Sequence, residues 1–121
     1  MGLDMMALTT TETVTEAVDF DVEECELLHA WRKHPNLHGM MKSLYDEKGG
    51  KNIDFNCVNL ALNHADLSRV EKAVRFGMLP QTAGFFFGES DGTEKAGDLA
   101  FIEKARTALN SNLVVFYRAW W

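Results

Sequence analysis

The chain has 121 residues, 46% hydrophobic and 25% charged, with a formal net charge of −6. This is material for one domain with a single core, and it excludes both a disordered low-complexity chain and a strongly basic nucleic-acid binder. Its longest apolar runs, at 85–87 and 113–117, fall far short of the roughly 20 residues a helix needs to cross a bilayer, so a soluble cytoplasmic protein is expected.

Residues 1–18 are rich in threonine and show no helical stripe, which reads as a flexible acidic arm ahead of one globular domain at 19–121. Residues 1–26 hold eight acidic and no basic side chains, while the remaining 95 carry ten acidic against twelve basic. The acidity is therefore N-terminal. The opening residues, from Met1 to Met6, lack the basic and apolar regions of a signal peptide. An acidic first turn at Asp21 and the apolar set Val22, Cys25, Leu28 and Trp31 predict a helix over 21–34, stopped by Pro35. Pro35 then suits the first turn of a second helix through Leu37, Met41 and Tyr45, ending at Gly49 and Gly50.

The composition of 53–62 predicts a strand whose alternation slips near Cys57. Asn63 is a helix cap with Asp66 three residues on, and Leu62 and Leu67 stand at the positions of a hydrophobic staple. Leu67, Val70, Ala73 and Val74 make the buried stripe of that helix; Gly77 ends it and Pro80 prevents a restart. A short strand is expected at 85–87, a loop at 88–97, a helix at 98–109 and a terminal alternating strand at 113–121. The order is ααβαβαβ. The fold class is α+β or small α/β, with helices packed on a three-stranded sheet whose later strands are open to parallel crossovers.

Chemistry-bearing residues are few. Cys25, His29, His34 and His38 are the clustered metal-capable side chains, although Pro35 interrupts them and no familiar zinc spacing is present. Apart from a divalent metal at such a site, no cofactor is expected. Cys57 near His64 has the makings of a nucleophile and base, but a cysteine within an apolar strand resists forming a thiolate. Both cysteines read as reduced, small buried hydrophobes. The loop opening on Gly88, Glu89 and Asp91 sits where a parallel sheet would bind a ligand, yet its acidic groups would repel phosphate and it lacks a phosphate-loop pattern. Tyr117, Arg118, Trp120 and Trp121 form an aromatic terminus better suited to core closure or self-association than to stacking bases, since no basic groove accompanies them.

Read together, KHPNLHG (33–39), LYDEKGG (44–50), FNCV (55–58), LPQTAGFFFG (79–88), DLAFIEKAR (98–106) and the terminal Trp120 and Trp121 resemble a family of small uncharacterised proteins of tailed bacteriophages and prophages. Met40 and Asn59 stand where that family often has Trp and Pro. Some members carry a phosphoglycerate-kinase label, which a chain of this size without a phosphate loop cannot justify. The resemblance implies an accessory protein in the host cytoplasm or on the virion and brings no catalytic residues. The function expected is a non-enzymatic protein-interaction module, pairing with another protein or with itself. The competing readings are a small metal- or nucleotide-dependent enzyme using the 88–97 loop or the Cys25/His29/His34/His38 cluster, and a nucleic-acid-binding module.

Overall fold

The computed structural model describes residues 2–84 and 87–121. Among them the order is β1 (Asp4–Thr10), β2 (Glu26–Arg32), α1 (Pro35–Glu47), β3 (Leu60–Leu62), α2 (His64–Arg75), α3 (Lys95–Asn110) and β4 (Val114–Trp120). The strands form one sheet in the order β2-β1-β4-β3, and every ladder is antiparallel.

The class is α+β, and the N-terminal third departs most from expectation. Residues 4–10 are an interior strand rather than part of an arm: β1 pairs with β2 on one side and β4 on the other, with Leu3, Met5 and Ala7 fully buried. The acidic groups responsible for the arm reading lie almost wholly beyond Thr10. The helix expected over 21–34 is replaced by β2, because pairing with β1 satisfies its backbone and outweighs local preference. At 53–62 only Leu60–Leu62 is a strand; Phe55 and Cys57 take positive φ, which a regular strand excludes, and Ile53 is exposed. The expected strand at 85–87 falls mostly outside the described residues; Phe87 itself is buried and belongs to no strand. Among the described residues no parallel crossover forms: α2 and α3 lie between β3 and β4, and the two strands pair antiparallel.

The sheet has four strands where three were expected, because 4–10 and 26–32 both join it; the remaining local expectations are met closely. Helix α1 begins with Pro35 in its first turn. Asn63 caps α2 through Asp66 in a reciprocal capping box. At the other end Gly77 adopts φ +64, and the Met78 N–H donates to the Ala73 carbonyl at 2.7 Å, the bond that closes a left-handed helix end.

The three helices cover one face of the sheet. Leu3, Met5 and Ala7 of the β1 segment and Val115, Tyr117 and Ala119 of β4 meet Leu37, Met41, Leu67, Val70, Phe101 and Ala105 in the main core. On the opposite face Leu8 and Phe116 pack under Phe20, with Val14 and Val22 beside them. The segment 11–25 thus roofs half of that face. No helix of the described residues is long and apolar enough to cross a membrane.

Candidate functional site

The junction of β2, α1, the 88–94 loop and α3 gathers a connected set of polar side chains, two of them buried. Pro35 has no N–H, so the first free donor of α1 is that of Asn36. His34, the cap residue, does not satisfy it. Ser90 does so from across the fold, its Oγ accepting the Asn36 N–H at 3.1 Å. The loop reaches this position because Gly88, at φ +74, lies against Lys33, where an added Cβ would stand 3.0 Å from the lysine Cβ.

Asp98, in the first turn of α3, is buried, as is His34. The Trp31 indole N–H donates to Asp98 Oδ1 at 2.9 Å, and His34 Nε2 lies 2.8 Å from Oδ2. A carboxylate only accepts, so the network places an imidazole proton on Nε2; in the neutral ring Nδ1 is then an acceptor. Ser90 Oγ, 2.7 Å from Nδ1, is placed to donate to it in that form. Ser90, His34 and Asp98 thereby form a continuous relay, and all three line a cleft of about 230 Å³ whose opposite wall includes Ala73, Val74 and Leu79. Beside it, the Glu94 carboxylate accepts the N–H groups of Asp91 and Gly92 at 3.2 and 2.9 Å and stands 3.8 Å from His34 Nδ1.

The candidate residues disperse from the groupings expected of them. Cys25 is exposed before β2; His29 packs on Trp31 and Phe101, with Lys104 Nζ 3.3 Å from its Nδ1. Burial, then the charge of Lys104, lowers the His29 pKa against the opposing pull of Asp98. His38 faces the core, its Nδ1 2.7 Å from the Tyr117 hydroxyl and its ring stacked on Phe55. Burial and then Lys42 lower His38 to about 4, and burial raises Tyr117. Among the described residues no three His, Cys, Asp or Glu side chains come together as a metal-holding group.

In the loop, Glu89 is exposed and Asp91 turns back to accept the Thr93 N–H and hydroxyl at 3.0 and 2.6 Å. Those two bonds hold the Asp91 carboxyl below its usual range. Cys57 is exposed outside any strand, so both cysteines are surface thiols, contrary to the buried reading. Ser90, Asp98 and Trp31 were missed because their partners lie far along the chain; the sole local signal was a serine in a glycine-flanked loop.

The aromatic terminus divides. Tyr117 is in the main core, and Trp121 packs edge-on against His38 and Phe87. Trp120 points the other way and is 61% exposed. Compared with protein-family models, curated proteins and solved structures, the chain matches none of them.

Proposed function

We propose that the protein is an accessory module of the tailed-phage type that works through protein contacts, and that its first partner is a second copy of itself. The observation that carries this reading is the uncovered half of the sheet's second face. The register aligns Trp120, Asp4 and Arg32 across one rung and Arg118, Met6 and Ala30 across another. Side chains of these two rungs share the face of Leu8 and Phe116; Met6 packs, partly buried, at the margin of the cluster under Phe20, and Ala30 and Trp120 are exposed.

The patch is self-complementary. It has a tryptophan with Met6 and Ala30 at its centre, and Asp4 alongside Arg32 and Arg118. Its internal Arg32–Asp4 pair is loose at 3.8 Å and exposed, so it contributes little and leaves both charges available. Two copies related by a two-fold axis would set the Asp4 of one against the arginines of the other while each Trp120 loses its water. Tryptophan and arginine are the side chains that most often dominate such contacts.

Light scattering over a range of concentrations tests the reading. The wild type is expected at twice the mass of one chain at high concentration, and Trp120→Ala at the mass of one chain with an unchanged circular dichroism spectrum. A wild type that stays monomeric, or a variant that associates equally well, contradicts the proposal.

A further inference from the structure

We propose that Ser90, His34 and Asp98 constitute an acyl-transfer site that hydrolyses esters of short aliphatic acids in the cleft between α1, α2 and α3. Capping α1 requires only a lone pair from Ser90, which the Asn36 N–H occupies at 3.1 Å. The hydroxyl proton is free for a different use, and in the neutral Nε2–H form of His34 the acceptor nitrogen Nδ1 lies 2.7 Å from the Ser90 oxygen. The far side of that imidazole is held by a buried carboxylate at 2.8 Å, itself fixed by the Trp31 indole at 2.9 Å. Nucleophile, base and orienting acid thus stand in hydrogen-bonded sequence, as an activated serine requires. The imidazole nitrogens are used in the opposite sense to the familiar protease arrangement, but the chemistry needs only one to accept and the other to donate.

The setting supplies the rest. Ser90 lines an open cleft of about 230 Å³, below the size of drug-binding pockets, with Ala73, Val74 and Leu79 as an apolar wall. A short acyl chain fits those walls. The backbone N–H groups immediately after Ser90, those of Asp91 and Gly92, already bind a negative oxygen pair, that of Glu94. They become donors to a developing oxyanion when the Glu94 carboxylate, which lines the same cleft, turns away from them.

In the reaction, Ser90 Oγ bonds to the ester carbonyl carbon and its proton passes to His34 Nδ1. Asp98 stabilises the imidazolium through Nε2–H. The carbon–oxygen bond to the alcohol then breaks, and the alcohol leaves with the proton from Nδ1. Water adds to the acyl-serine, giving its proton to Nδ1, and Ser90 departs with that proton as the carboxylic acid is released. Ester and water become acid and alcohol, with no other reactant.

The test uses the full chain, a fluorophosphonate probe and p-nitrophenyl butyrate. Intact mass and peptide mapping are expected to show one adduct on Ser90, absent in Ser90→Ala. Ester hydrolysis should fall about 100-fold or more in both Ser90→Ala and His34→Gln. Asp98→Asn, which preserves shape, should still label at Ser90 but more slowly and with a displaced pH profile, as befits a positioning residue. Mapping the adduct in the wild type decides the matter even where a variant fails to fold. No adduct, an adduct elsewhere, or hydrolysis unchanged in Ser90→Ala overturns the proposal, and an unchanged pH profile in Asp98→Asn removes Asp98 from it.

Discussion

The two faces of the sheet have opposite fates although the same strands build them. On β4, Val115, Tyr117 and Ala119 turn to the helices and are buried, while three residues beyond Tyr117 the exposed Trp120 turns to the other side. The helical face is closed by three helices; the second face is closed only as far as Phe20, Val14 and Val22 reach. Alternation along a strand specifies two surfaces but not what covers them. Here one surface is closed by helices and the other is closed only in part.

The two faces differ most in what a substitution at Tyr117 costs. Tyr117→Ala empties a fully buried aromatic site and removes the hydroxyl beside His38, so a loss of about 3–5 kcal/mol is expected in urea unfolding. Below that comes His38 itself. Its pKa of about 4 in the fold lies under the ordinary value of 6.5, so the unfolded chain binds the proton more readily. Stability is full above pH 6.5 and falls as pH drops toward 4, by about 3 kcal/mol in all. Denaturant midpoints measured at several pH values should lose most of that slope in His38→Gln.

A smaller effect is expected at the edge of the helical layer. Asn63→Ala removes the acceptor of the Asp66 N–H, held at 2.8 Å, and should cost about 1 kcal/mol in the same assay. Smallest of all, Trp120→Ala should change monomer stability by no more than about 0.5 kcal/mol. A loss there approaching that of Tyr117→Ala would mean that the second face is part of the core and not a contact surface.

The same division governs what could be read from the sequence. Helix α2 was legible to its ends because its signals are local: Asn63 and Asp66 cap each other across three residues, and Gly77 lies just past the last turn. Strand β4 was legible because its apolar residues are strong β formers in alternation. Strands β1 and β2 were not. A methionine- and threonine-containing N-terminus resembles an arm until β4, more than a hundred residues later, pairs with it. Residues 26–32 carry leucines and a tryptophan at spacings a helix also uses, and only pairing with β1 makes them a strand. The relay was hidden for the same reason, since His34 meets Ser90 56 residues away and Asp98 64 residues away. The sequence placed His34 in one candidate cluster and the 88–97 loop in another; the fold makes them neighbours.

The proposed contact face requires that Trp120 become covered when two chains meet. Hydroxyl-radical footprinting at rising protein concentration reads this residue by residue, with buried Tyr117 and half-buried Trp31 as internal references. Oxidation of Trp120 should fall several-fold between dilute and concentrated protein while that of Trp31 and Tyr117 stays constant. Trp120 oxidation that does not change with concentration would contradict the proposed contact face.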